Sequence, residues 1–367
     1  MDSKHHAIKR RCPLNEIYSK ADPEILIRKG SWMMSIVLNR PRVLNSLNLD
    51  MIRLMQSALD QAESDKGCEF ILLYGAGEKG FCAGGDVKAL ARAIREKRDL
   101  RADMILKEEY DLLLRLHRFP KPLIALSDGI TMGAGLGIAA ASDIAVATER
   151  TRMAMPETRI GFFPDVGSSG WMFAKCPAGY PEYLGLTGYE MKGAETVRIG
   201  FATHLLPLDR LPELKSFLEG YETHLPSLRG EAAKALITAL DPFFEKKIAA
   251  KSDMDEWVAD YFKGKSSLLE IIEPLRQCSI QTRLCDQVFE RLAERSPTAL
   301  AVTLKLLRHN EHQPLEQVFQ TELAAARFIL NHPDYIEGVR ARLEDKDDSP
   351  RWQPETIEAL GDLDLVF

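Results

Sequence analysis

Glu157 and Asp165 each directly follow a proline in the run MPETRIGFFPDVG, which extends from Met155 to Gly167. Proline restricts the backbone at and before its own position, so both acids are expected on rigid supports. Ile160, Phe162 and Phe163 lie between them, and an apolar surround raises the proton affinity of a carboxylate and suits it to proton transfer. Such chemistry needs a place for negative charge to develop, and two small-residue segments offer one. In GFCAGGDVK, residues 80–88, a Gly-rich turn leads into a helix with Asp86 as its N-cap. In DGITMGAGLG, residues 128–137, small residues expose backbone N–H groups where a second helix begins. One N–H from each loop, facing each other, would make a two-donor oxyanion hole. Taken singly, each segment also fits a plain role: a capped turn, close helix packing, or ordinary surface acids.

The elements that must hold these segments are legible as an α/β alternation. Residues 32–38, 70–74, 123–126 and 144–147 are short apolar runs bounded by Gly or Pro and read as buried strands. Residues 50–62 carry a helical period through Met51, Leu54, Met55, Ala58 and Leu59, and residues 133–141 read as a tightly packed small-residue helix. From about Arg210 the strand signals stop, and helical patterns such as residues 284–295 and 315–330 follow. The expected organisation is an α/β core over residues 20–210 and a helical region over residues 211–367, with residues 225–230 near the transition.

Composition removes several classes of function. The chain has 367 residues, 48 basic and 54 acidic, for a net charge of −6, a poor match to nucleic acid. No apolar run approaches the ~20 residues needed to cross a bilayer. The N-terminus, with His5, His6, Lys9, Arg10 and Arg11, lacks the apolar stretch of a secretion signal. Asp2 and Glu16 weaken a mitochondrial transit reading, so the cytoplasm is expected, with the mitochondrial matrix as the eukaryotic alternative. Six cysteines (Cys12, Cys68, Cys82, Cys176, Cys278 and Cys285) show no CxxC pair and no zinc spacing, and are expected as reduced thiols; no metal is expected.

The three segments in this order resemble the crotonase superfamily of enoyl-CoA hydratases and isomerases, whose fold is a spiral of ββα units. The resemblance is strongest to its 3-hydroxyisobutyryl-CoA hydrolases, whose FCAGGD, ITMGGG and MPETxIGxFPDVG patterns are nearly reproduced. It continues through Leu186-Thr187-Gly188, Lys192-Gly193, Ala202-Thr203-His204, Glu337-Gly338-Val339-Arg340-Ala341 and Asp345-Lys346-Asp347, so it spans roughly residues 25–355. It implies oxyanion donors at Ala83 and Ala134, where the family usually has glycine at the second. It further implies catalytic Glu157 and Asp165, a substrate-site acid at Glu109, and substrate contacts at Gly85, Asp86 and Gly133. CoA would run along the loop carrying Arg40 and Arg42. No cofactor is implied beyond the CoA thioester itself, no membrane or nucleic-acid partner, and a homo-oligomer is allowed. A typical hydratase has a second glutamate three residues after the second donor; here that position is Gly137. The implied reaction is hydrolysis of a short 3-hydroxyacyl-CoA thioester, with Glu157 as nucleophile or as general base. Hydration or isomerisation, and a non-catalytic binding or assembly protein, are the competing readings. His204 is expected to be structural.

Overall fold

The computed structural model describes residues 23–97 and 99–361; the basic N-terminal stretch and Cys12 lie outside them. Among the described residues the strands run β1 (Ile25–Lys29), β2 (Met33–Leu38), β3 (Phe70–Gly75), β4 (Gly80–Cys82), β5 (Leu123–Leu126), β6 (Ile130–Met132), β7 (Ile144–Ala147), β8 (Arg152–Ala154), β9 (Met191–Lys192) and β10 (His204–Leu205). They form a six-stranded sheet in the order β1-β2-β3-β5-β7-β10 and a four-stranded sheet in the order β4-β6-β8-β9. The pairs β3/β4, β5/β6 and β7/β8 each give one strand to either sheet before the chain enters a helix. This is the expected ββα spiral. Every turn of the spiral ends a strand of the second sheet beside its neighbour, so the loops after β4, β6 and β8 collect at one place.

The strand positions follow from burial on both faces. β2, β3, β5 and β7 are mostly apolar and parallel to one another, and such strands need cover on each side. In β3, Ile71 and Leu73 join the main core with Met51, Met55 and Leu113. The alternate Phe70 and Leu72 point to a second core, as the period of two requires. That second core is closed by Leu214, Leu218, Leu236 and Leu240 from the helices Leu211–Glu219 and Arg229–Leu240, and by Phe243 from the one-turn helix Asp241–Phe243. Stripping this cover would expose Phe70, Leu72, Ile124 and Leu126, at about 2 kcal/mol each. The later helices join the main core instead, through Leu300, Phe319, Ile329 and Tyr335. The helical region therefore shares both cores with the α/β part, and its last helices close over the loops after β4, β6 and β8.

One cysteine expectation is corrected. Cys278 and Cys285 are joined in a disulfide, with Cα atoms 6.4 Å apart. The short turn between the helices Leu269–Arg276 and Thr282–Ala293 brings them together. Cys68, Cys82 and Cys176 are free thiols, as expected.

Candidate functional site: an acid-lined cavity

A cavity of about 970 Å³ opens where the three loops meet. Its lining includes Ala83, Gly85, Asp86, Glu109, Gly133, Ala134, Glu157 and Asp165. Eight positions assigned from the sequence thus share one space.

The two loops that were to supply N–H donors are in contact. A Cβ built on Gly84 would lie 3.6 Å from the N atom of Ala134. Ala134 opens the helix Ala134–Ala141, so its N–H has no carbonyl a turn back, and Gly133 supplies no side-chain cap. On the other loop the expectation is corrected. The N–H of Ala83 donates to the Leu44 carbonyl at 2.9 Å and is spent. The bridge between Leu47 and Gly85 uses the Gly84 carbonyl and the Asp86 N–H. The N–H of Gly85 itself is thereby turned away from Leu47, and Gly85 lines the cavity. The donor pair this geometry offers is Gly85 and Ala134.

The acids face this pair. A Cβ on Gly85 would meet Glu109 Oε2 at 3.0 Å, and a Cβ on Gly133 would meet Glu157 Oε1 at 3.2 Å. Gly133 has φ +49°, so the turn that brings the backbone this close to Glu157 also favours a residue without a Cβ. Glu157 starts a one-turn helix, Glu157–Ile160, directly after Pro156 and is buried; its Oε2 has no hydrogen-bond partner among the described residues. Asp165 is buried after Pro164 and accepts a hydrogen bond from the Tyr110 hydroxyl at 2.8 Å.

Burial dominates the electrostatics. It raises the Asp165 carboxyl to about 7, against the pull of Tyr110. Burial and then Asp165 raise Glu109 to about 8. The same two causes hold Glu157 well above the ordinary carboxylate range. Behind Asp165, Glu322, fully buried, is raised to about 8 by burial. Acids whose surroundings push their proton affinities apart are an arrangement for moving protons near neutral pH.

The remaining expected residues have other employment. Asp86 lines the cavity but caps the helix Val87–Arg95 through the Ala89 N–H, and it sits 3.4 Å from Arg40. Arg40 also reaches the Ser46 carbonyl at 2.8 Å and Glu24 at 3.2 Å, so it staples the loop. Neither Arg40 nor the exposed Arg42 is among the cavity-lining residues. The arginines that do line it are Arg152, Arg159, Arg291, Arg295 and Arg342, interleaved with Glu190, Glu290, Glu294 and Asp348. His204 lies outside the cavity, its ring 4.3 Å from that of Phe244.

Gly137 is informative. A Cβ there would meet Val166 Cβ at 3.0 Å and Leu113 Cδ1 at 3.2 Å. The position is packed by apolar side chains, so a carboxylate does not fit.

Tyr110, Glu322 and the arginines on the late helices were missed from the sequence. Tyr110 was adjacent to a chosen residue; the others lie more than a hundred positions from Glu157 with no local pattern to mark them.

A family model described as enoyl-CoA hydratase/isomerase matches residues 33–365. A protein of Danio rerio named "3-hydroxyisobutyryl-CoA hydrolase, mitochondrial" is 35% identical over 362 residues, covering 96% of this chain and 92% of that protein. The protein of the same name in Mus musculus is 36% identical, covering 93% and 87%. Among solved structures, a carnitinyl-CoA dehydratase from Mycobacterium thermoresistibile superposes with a TM-score of 0.83 at 31% identity, covering 94% of this chain and 95% of that one. An enoyl-CoA hydratase from Rhodobacter sphaeroides gives 0.81 at 29% identity, covering 92% and 95%. On the family match and on relatives this similar over nearly the whole chain, the protein belongs to the enoyl-CoA hydratase/isomerase family.

Proposed function

We propose that this protein hydrolyses a short 3-hydroxyacyl-CoA thioester, with 3-hydroxyisobutyryl-CoA as the favoured substrate, to the free acid and CoA. The observation that carries the reading is the convergence of Glu109, Glu157 and Asp165 on the Gly85 and Ala134 N–H groups in one cavity. The relatives named 3-hydroxyisobutyryl-CoA hydrolase supply the choice of acyl group.

In this reading the thioester oxygen lies between the two N–H groups, which take up the charge that develops as the carbonyl is attacked. One such donor is worth about 3–4 kcal/mol of barrier. Ionised Glu157 either attacks the carbonyl, forming a mixed anhydride that water then opens, or takes a proton from an attacking water. The C–S bond breaks, and the thiolate leaves as CoA thiol after taking a proton. Asp165 and Glu109 orient the 3-hydroxyl and the water. Water and the protons of these acids complete the balance, so no metal or redox cofactor takes part; undiminished turnover after chelator treatment is the check.

Hydration of an enoyl-CoA is the competing chemistry, because the structural neighbours carry hydratase and dehydratase names. The apolar packing around Gly137 favours hydrolysis, since it denies the site a carboxylate on that side. The relatives' names include mitochondria, which favours the matrix alternative for a eukaryotic source.

The test is thiol release from 3-hydroxyisobutyryl-CoA by wild type, Glu157→Gln and Asp165→Asn. Release by wild type, lost in both variants with the fold intact, is expected. Full activity in Glu157→Gln would remove that residue from the chemistry. Absence of thiol release from any 3-hydroxyacyl-CoA would overturn the hydrolase reading.

A further inference from the structure

Asp165 lies in a turn that is costly to form. The next residue, Val166, has φ +57°, a left-handed conformation that β-branched residues rarely adopt. Gly167 follows at φ +78°, and the helix Ser168–Lys175 then starts with no side-chain cap of its own. Something else must hold this turn.

Glu322 does so from the helix Leu315–Leu330, more than 150 residues later. It is completely buried. Its Oε2 accepts the Gly167 N–H at 2.6 Å; its Oε1 accepts the Ser169 N–H at 3.1 Å and the Ser169 hydroxyl at 2.6 Å. Asn310 fixes Ser169 in turn, donating to its Oγ at 2.9 Å. One carboxyl group thus satisfies two of the helix's free N–H groups immediately after Asp165. The same helix presses on the turn with Phe319. A Cβ on Gly167 would meet that ring at 3.0 Å, and the ring lies 5.6 Å from that of Tyr110, the donor to Asp165.

We propose that Glu322 is a positioning residue for Asp165: it pins the strained Asp165–Gly167 turn from beneath. This rests on the proposed catalytic use of Asp165. Glu322 does not line the cavity, so it acts through Asp165 and not on substrate. The groups facing Asp165 are Glu109 and Tyr110 from the helix Asp99–Arg118, Glu157 from its one-turn helix, Glu322, and Tyr335 from the helix Pro333–Val339. Among the acids in that set, Glu322 alone is anchored by three donors of the turn itself.

The experiment uses the full chain with Glu322→Gln, Glu322→Asp and Ser169→Ala, and has two readouts. The first, needing no substrate, is the carboxyl titration of Asp165, followed by isotope-edited infrared with Asp165→Asn as the assignment control. Loosening the turn admits water to Asp165, whose burial is the main cause of its raised proton affinity, so its midpoint is expected to fall towards the ordinary carboxylate range in Glu322→Gln and by less in Ser169→Ala. Glu322→Asp, which keeps a carboxyl group to accept from the turn, should stay nearer wild type. The second is turnover: kcat of Glu322→Gln should fall ten- to a hundredfold with KM within about threefold, the pattern of a misplaced group that does not bind substrate. If Glu322→Gln does not fold, Ser169→Ala carries both tests. An unchanged Asp165 titration in folded Glu322→Gln or Ser169→Ala overturns the proposal even if the enzyme's substrate proves to be another. A normal kcat with a shifted titration overturns it as well, and inactive wild type with the expected titration would fail only the hydrolase reading.

Discussion

Replacing Glu109 by glutamine should make the protein more stable and less active, and the gain in stability should depend on pH. Glu109 is buried, and burial first and Asp165 second raise its carboxyl from 4.5 to about 8. An acid whose folded value lies above its unfolded value binds its proton more tightly when folded. Below about pH 4.5 both states are protonated and nothing is lost. From there to about pH 8 the cost of the ionised form accumulates, and above that it is complete. At 1.36 kcal/mol per pH unit the full cost is about 5 kcal/mol. Glutamine carries none of it but buries an amide in its place at a cost of about 1 kcal/mol, which leaves a net gain of about 4 kcal/mol at pH 8.5. With an unfolding entropy near 2.1 cal/mol/K per residue over 367 residues, 1 kcal/mol corresponds to about 1.3 °C. Thermal unfolding should therefore show Glu109→Gln melting about 5 °C above wild type at pH 8.5 and within about 1 °C of it at pH 5. A melting point at or below wild type at pH 8.5, or an offset that does not change with pH, would refute the assignment of a desolvated, charge-crowded acid at this position.

Three further outcomes are expected. Because Asp165 is held near 7 and Glu157 above the ordinary range, thiol release should rise with pH through neutrality; a rate already maximal at pH 5 would show that ionised carboxylates are not needed. Gly137→Glu should not yield an enoyl-CoA hydratase, because its side chain would enter the space of Val166 and Leu113 at a cost of about 1–3 kcal/mol or more; the loss of enoyl-CoA absorbance on adding the variant is the measurement, and measurable hydration would refute the packing argument. Peptide mapping without reductant should recover Cys278 linked to Cys285, and Cys285→Ser should lower stability by about 2–3 kcal/mol in the loop-entropy description.

The amino-acid sequence by itself determined the strongly patterned elements and the local parts of the site. The strand expected at residues 123–126 and the helix expected at 315–330 match Leu123–Leu126 and Leu315–Leu330, because burial leaves a period that composition alone displays. The N-cap at Asp86 was equally legible, since a cap is an interaction between residues three apart. Glu157 and Asp165 were visible because proline and apolar neighbours mark them within a dozen positions. What tertiary structure alone decided is everything carried by contacts across the chain. Which N–H of the GFCAGGD loop is free depends on Leu44 and Leu47, which occupy one edge of that loop and spend the donor of Ala83 while sparing that of Gly85. The loss of Arg40 to Glu24 and Asp86, the disulfide between two helix ends, and the Glu322 carboxylate beneath Asp165 are of the same kind. A hydrogen bond or a buried charge is set by distances of a few ångströms between residues as far as 155 positions apart, and neither composition nor periodicity encodes which partners those distances select.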